Sequence, residues 1–272
     1  MGSADLSVAK ILDGLGTRCM GRRVLLYRRV DSTNALARTL AAQGEQEGTL
    51  VLADEQTAGR GRLDRRWIAP AGTSLLLSLI LRPPVQPEHA QVVTMLAALA
   101  LRDAILACTG LTARLKWPND LLLSGRKAGG ILTELRVTGA ELDYAVVGIG
   151  LNVNMPADAL PPSFDATSLQ QQLGAVVPRV PLLQELLRRI EGRYADLEQG
   201  RWPISEWAAA LETIGQRVRV NCGTESHVGL AEAVDDSGAL HLRLDNGCLL
   251  GLAAGDACPA THPDGPPTGG AR

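Results

Sequence analysis

Asp54-Glu55-Gln56-Thr57-Ala58-Gly59-Arg60-Gly61-Arg62 continues an apolar run that begins at Thr49. Thr49 to Glu55 reads as a buried strand, and Gln56 to Arg66 as a loop holding two glycines and four arginines. Gly59 and Gly61 let the backbone bend freely and approach a ligand closely. Arg60 and Arg62 carry planar guanidinium forks that suit carboxylate and phosphate oxygens. Gln56 can both donate to and accept from a neutral polar group. A Gly-Arg run in isolation reads as a solvated basic loop. Its position straight after a buried strand, where ligands commonly bind, argues for a ligand loop. It is not a P-loop, because G-x-x-x-x-G-K-[ST] occurs nowhere in the chain.

Upstream, Val24 to Val30 alternates as a strand, and Asp31-Ser32-Thr33-Asn34 supplies capping residues for a helix over Ala35 to Ala42. A short amphipathic helix is expected over residues 5 to 20. Downstream, Ser74 to Arg82 is a near-continuous Leu/Ile strand covered on both faces and stopped by Pro83-Pro84. Glu88 to Cys108 reads as a buried helix and Ala113 to Trp117 as a short strand. Leu121 to Leu123 and Gly130 to Val137 read as a hairpin turning at Gly125, and Tyr144 to Asn152 as a further strand. A Pro-rich connection over 155 to 168 leads to helices over Pro181 to Glu198 and Ile204 to Glu212. Near Gly215 the pattern changes to short alternating segments, Arg217 to Val220, Val228 to Val234, Ala239 to Leu244 and Cys248 to Leu252. Asp235-Asp236-Ser237-Gly238 and Asp245-Asn246-Gly247 separate them as hairpin turns, the pattern of a small β-barrel. From Pro259 onward the composition predicts a disordered tail.

Two hundred and seventy-two residues leave room for one large domain or a main domain with a small one. Net charge is −2, which disfavours a general nucleic-acid binder. Aromatic residues are 3%, so the core must be largely aliphatic. Five cysteines are scattered with no C-x-x-C pair, which suggests neither a disulfide framework nor a zinc site. The run Val92 to Leu101 is too short for a bilayer, and no signal-peptide pattern opens the chain. A cytoplasmic protein without membrane partners is expected. The 27 basic residues include only three lysines, Lys10, Lys116 and Lys127, and two of those fall within a dozen positions beside turn residues.

Those two lysines belong to the next motifs. Lys116-Trp117-Pro118-Asn119-Asp120 sets a cation and an acid on either side of a rigid turn, where the acid could hold a metal ion or orient a hydroxyl, or the segment is a charged turn with Trp117 as core filler. Arg126-Lys127-Ala128-Gly129-Gly130-Ile131 presents an ammonium where the backbone leaves space. Gly148-Ile149-Gly150-Leu151-Asn152 lacks the third Rossmann glycine; its glycines read as close-packing positions, with Asn152 as a ligand contact. No Ser-His-Asp arrangement is readable and no histidine lies near these segments. What remains is cations, glycines and amides with one acid, which suits stabilisation of an anionic transition state in phosphoryl or nucleotidyl transfer.

In this order, Asp31 to Asn34, Glu55 to Arg62 with Trp67, Lys116 to Asp120, Arg126 to Ile131 and Gly148 to Val153 resemble the biotin protein ligases. The resemblance covers about residues 22 to 257. It implies an α/β (α+β) mixed-sheet catalytic domain over 22–212 and an SH3-like C-terminal barrel over 213–258. A helical extension over 1–21 and a tail over 259–272 complete the expected organisation. It also implies a two-step reaction with ATP and Mg2+ as the substrate complex, biotin as second substrate and no tightly bound metal. Biotin and MgATP give biotinyl-5′-adenylate, and a lysine on a biotin carboxyl carrier domain, as in acetyl-CoA carboxylase, then takes the biotinyl group. By the same resemblance Ser32, Thr33, Asn34, Gln56, Gly59, Arg60, Gly61, Arg62, Lys127 and Gly130 line the biotin side. Arg60, Arg62, Trp67, Asn119, Lys127 and Asn152 face ATP. Arg60, Lys127, Asp120 and Lys116 are the catalytic set, with Asp120 near the magnesium ion or the acceptor lysine.

Some family members begin with a winged-helix DNA-binding domain. About 30 residues precede Asp31 here, so a monofunctional ligase with no nucleic-acid partner is expected, and homodimers are common in that family. Leu63-Asp64 departs from the family, where a basic or glycine residue is expected. The rival readings are a lipoate or octanoate transferase, which shares the catalytic fold but lacks this Gly59–Arg62 loop, and a non-catalytic biotin sensor. A nucleic-acid protein using the barrel is disfavoured by acidic turns at Asp235-Asp236 and Asp245.

Overall fold

A computed structural model describes residues 6–63, 65–159 and 164–260. Seven strands form a mixed sheet in the order β1-β2-β3-β7-β6-β5-β4. They are β1 (Val24–Val30), β2 (Leu50–Gln56), β3 (Ser74–Leu81), β4 (Arg114–Lys116), β5 (Asp120–Leu123), β6 (Arg126–Thr138) and β7 (Glu141–Asn152). Only β1 and β2 run parallel; the remaining neighbours are antiparallel.

The pleat sends alternate residues to opposite faces. Odd-numbered residues of β3 and β7, such as Leu75, Leu77, Val147 and Ile149, enter the main core. There they meet α3 (Gln91–Thr109) and α5 (Arg179–Glu198). Their even-numbered residues face the other way, where Ile80 and Val146, with Val51 of β2, pack under α2 (Thr33–Ala42). α2 begins at Ser32, whose Oγ accepts from the Ala35 N–H. By length and composition alone, Pro87–Thr109 would pass as a membrane span. Twelve residues of α3 are instead buried inside the protein.

The helix expected over 5–20 is confined to α1 (Val8–Leu12), because Gly14, Gly16 and Gly21 take left-handed φ angles of 69°, 74° and 72° and turn the chain. Leu169–Leu173 inside the post-connection segment is a short helix, α4, capped by Ser168 and Gly174. The aliphatic core also holds two fully buried indoles, Trp117 and Trp207; Trp207 lies on α6 (Ile204–Ala210).

The C-terminal segments make a five-stranded antiparallel, SH3-like sheet. Its strands are β8 (Arg217–Cys222), β9 (Glu225–Val234), β10 (Leu240–Leu244), β11 (Leu249–Leu252) and β12 (Asp256–Pro259), in the order β11-β10-β9-β8-β12. β12 is one strand more than the alternation predicted, and it includes Pro259, where the tail was expected to begin. The rest of that tail, 261–272, lies outside the described residues, as do residues 160–163 of the Pro-rich connection. All five cysteines are free.

Candidate active site

The site is built on the even-numbered face of the large sheet, beyond the end of α2. One register row crosses it as Asp120, Gly130, Gly150, Leu76 and Ala53. The next runs Leu132, Gly148, Ser78 and Val51. Glycine in these rows removes side chains where others must lie. A Cβ on Gly148 would stand 2.1 Å from Asn34 Oδ1, and one on Gly150 would stand 2.6 Å from Trp67 Cε2. Both glycines are therefore close-packing positions, as their motif suggested.

Above the second row, the α2 terminus forms a polar cluster. Ser78 Oγ donates to Asn34 Oδ1 at 2.6 Å. Gln56 Oε1 accepts from the Thr33 N–H at 2.8 Å and from Thr33 Oγ1 at 3.1 Å. These bonds orient the Gln56 amide so that its nitrogen points away from Thr33. Asn34 Nδ2 donates to the Leu132 carbonyl and to Glu134 Oε2. Asn34 is thus committed to internal bonds through both its amide oxygen and its nitrogen, whereas Ser32 Oγ accepts one bond as the helix cap.

On the first row, Lys127 Nζ lies 2.5 Å from Asp120 Oδ1 and 5.8 Å from the centre of the Trp67 ring. Gly130 is adjacent: a Cβ there would meet Asp120, Lys127 and Trp67 at ordinary contact distances. The Arg60–Arg66 turn is tied across its base. Trp67 N–H donates to the Gly59 carbonyl, Gly61 N–H to the Arg65 carbonyl, and Arg60 and Arg66 form a bridge. Gly59 is required, since a Cβ would sit 2.5 Å from the Trp67 carbonyl oxygen. Burial lowers Arg62 from its ordinary pKa, and Asp120 and Asp256 oppose the shift. Arg60 reaches toward Glu134, 3.7 Å away, which also binds Arg38 at 2.7 Å. A surface cleft of about 560 Å³ on the outer side of this pair is lined by Arg38, Glu134, Arg136 and Tyr144; Lys127 and Trp67 are not among its walls.

The structure therefore brings together Asp120, Lys127, Gly130, Trp67 and Arg62 in one group, and Thr33, Asn34 and Gln56 in another. Arg60 stands at the edge of the second. Asn119 joins neither as a free donor: its Nδ2 donates to the Ile131 carbonyl at 2.6 Å and ties the turn to β6. Lys116 sits at the end of β4 and acts electrostatically on Asp256. Trp117 is core filler, fully buried. Leu63, at the departure from the family pattern, holds a left-handed φ of 52°; Asp64 lies outside the described residues.

Two buried polar atoms on this face have no partner among the described residues: Trp67 Nε1, a donor, and Asn152 Oδ1, an acceptor. Asn152 Nδ2 is anchored on the Thr167 carbonyl. Buried polar atoms are rarely left unpaired without cause. Among the described residues, no group of three His, Cys, Asp or Glu side chains is gathered that could hold a metal.

Three residues of the site were not singled out in the sequence: Ser78, Glu134 and Asp256. Ser78 left a trace, a polar residue inside a Leu/Ile run. Glu134 and Asp256 left none: one is an acid well inside the long strand β6 and the other the first residue of the short β12, and neither sits in a motif.

Comparison with known proteins gives the family. The model of the "Biotin/lipoate A/B protein ligase family" matches residues 26–152, and that of the "Biotin protein ligase C terminal domain" matches 213–264. A biotin–[acetyl-CoA-carboxylase] ligase of Paracoccus denitrificans is 40% identical over 225 residues, covering 80% of this chain and 93% of its own length. A bifunctional ligase/repressor BirA of Bacillus spizizenii is 38% identical over 246 residues, covering 89% of this chain and 76% of its own. The solved biotin protein ligase of Aquifex aeolicus in complex with biotin and ATP superposes with a TM-score of 0.74 at 26% identity, over 87% of this chain and 98% of that one. With the catalytic sheet and the C-terminal sheet both matched, and a relative covered almost end to end, the chain belongs to the biotin protein ligase family.

Proposed function

We propose that this chain activates biotin with ATP as biotinyl-5′-adenylate and transfers the biotinyl group to a lysine of a biotin carboxyl carrier domain. The observation that carries the reading is Lys127, held by Asp120 beside Trp67, whose ring lies against the sheet at Gly130 and Gly150. In the first step a carboxylate oxygen attacks the α-phosphorus. An O–P bond forms, the α–β bond breaks, and pyrophosphate leaves with the electron pair. Two anions must approach, and Lys127 and Arg62 supply the compensating charge. In the second step an uncharged lysine amine attacks the acyl carbonyl, the amide forms, and AMP leaves.

Gln56 and Thr33 supply polar atoms for the ureido end of biotin. Trp67 offers a ring face, and its unpaired Nε1 with Asn152 Oδ1 offers one donor and one acceptor to a heteroaromatic base. Magnesium enters as part of the nucleotide substrate. Asp120 is the carboxylate that would face it, an oxygen donor of the kind that magnesium takes.

Arg60→Ala is expected to release the adenylate into solution; a variant that retains labelled adenylate like the parent protein removes Arg60 from that role. The deciding assay is exchange of labelled pyrophosphate into ATP, with biotin and with lipoate. Exchange with biotin alone supports the reading. Exchange with lipoate moves the chain to the sister activity, and exchange with neither leaves a ligand sensor.

A further inference from the structure

The small C-terminal sheet reaches into the site through one side chain. Asp256, the first residue of β12, accepts from Arg65 Nη2 at 2.7 Å. Its backbone position is fixed by the pairing of Asp256 with Asn221 on β8. Its side chain is 14% exposed and that of Arg65 57%, so solvent screens the pair from the arginine side. Burial pushes the Asp256 carboxyl up, but Lys116, the Arg65 hydrogen bond and Lys127 outweigh it and hold the carboxyl below its ordinary value. Asp256 is therefore in electrostatic reach of both lysine motifs and of the arginine turn. Arg62 responds to it as well as to Asp120. Four cations, Lys116, Lys127, Arg62 and Arg65, share this corner with two carboxylates, and one of the two belongs to the C-terminal sheet.

We propose that Asp256 is a positioning residue of the active site, anchoring Arg65 and so fixing the Arg60–Arg66 turn and the cations of the nucleotide side. The biotin side, built from Thr33, Asn34, Gln56 and Ser78, has no contact with it. The C-terminal sheet is then a structural wall of the nucleotide half. Only the ATP-dependent part of the test below rests on the proposed ligase reaction.

The test uses the full chain and the variants Asp256→Asn, Arg65→Gln and the double variant. The turn carries its own probe, since trypsin can cut after Arg60, Arg62 and Arg66, sites that all three variants keep. Without ligands, cleavage there is expected to accelerate in Asp256→Asn by about three- to tenfold, the range set by an ion pair of this partly buried kind. The KM for ATP is expected to rise by a similar factor, and the Kd for biotin to stay within about twofold. Arg65→Gln is expected to reproduce these changes, and the double variant to add nothing, as two partners of one contact behave. Unchanged cleavage and ATP KM in Asp256→Asn would overturn the proposal. So would equal losses for ATP and biotin with a lowered Tm, or additive effects in the double variant. If the parent protein shows no ATP exchange, the ligase reading fails, and the cleavage rates still decide the anchor.

Discussion

At Gly150 the indole above it selects the residue. A methyl group would overlap Trp67 Cε2 at 2.6 Å, and the ring is the movable partner. Gly150→Ala is expected to fold, at a cost of about 1–3 kcal/mol for overpacking. It is also expected to swing Trp67 off the sheet and weaken ATP much more than biotin. Separate calorimetric titrations with the two ligands check this; equal weakening would detach Trp67 from the nucleotide. Lys127→Ala removes the ammonium and leaves Asp120, 11% exposed, without its partner. Adenylate formation should fall by about 100- to 1000-fold, as when one preorganised electrostatic contact to a transition state is lost. The protein should still melt cooperatively, and near-normal pyrophosphate exchange would end the assignment. The residues legible in the sequence share a property: they are rare types in telling company. Lys127 stands out in a chain that otherwise uses arginine, and Gln56 and Arg60 sit among glycines after an apolar run. Asn34 was legible as a cap, but its bonds to Leu132 and Glu134 join positions about a hundred apart. No local pattern encodes such a contact.

Elements were legible where periodicity or turn chemistry is long enough to register. β3, α3 and α5 fall within a few residues of their expected bounds because long apolar patterns carry them. The segment before β1 has the amphipathic pattern of one helix, but Gly14 and Gly16 turn the chain. Only the structure shows what holds it without helical bonds. Glu191 on α5 accepts from the N–H groups of Arg18, Cys19 and Met20. Burial raises the Glu191 carboxyl, but these three bonds prevail and hold it below its ordinary value of 4.5. A depressed carboxylate contributes stability above its unfolded pKa, and that contribution is lost as pH falls through the folded one. Glu191→Gln is therefore expected to lower stability at pH 7 by about 1–2 kcal/mol, the worth of a charge-assisted contact. The gap from the parent protein should close as pH drops below 4.5 toward 3. Melting curves across that range check it, and a gap that is independent of pH would mean that packing, not charge, is lost. β12 escaped notice because four residues ending in proline show no alternation. Its place was set by pairing with β8, far back in the chain.

Across the whole molecule, the two sheets share one core. The main apolar cluster runs from Leu50 and Leu77 through α3 and Trp117 to Val218, Val220, Leu240 and Leu252 of the C-terminal sheet. Trp117 is the polar tie within it. Its backbone N–H donates to Thr213 Oγ1 and its Nε1 to the Gly238 carbonyl, both at 3.0 Å. Gly238 in turn presses on Met95 and Gln91 of α3, leaving no room for a side chain. The turn that carries Lys116 and Asp120 is thus held by the sheet that carries Asp256. A shared core predicts a shared transition, because neither sheet can unfold without exposing the apolar face of the other. Far-UV circular dichroism and tryptophan fluorescence should therefore report a single coincident melt. Trp117→Phe keeps an aromatic ring in place but leaves the Gly238 carbonyl unpaired, at a cost of about 1–3 kcal/mol. For a chain of this size that amounts to about 2–4 °C for each kcal/mol. Both probes should shift together by that amount. Two separated transitions, or a shift seen by one probe alone, would mean that the C-terminal sheet folds as its own unit and that its hold on the active-site turn is only a docking contact.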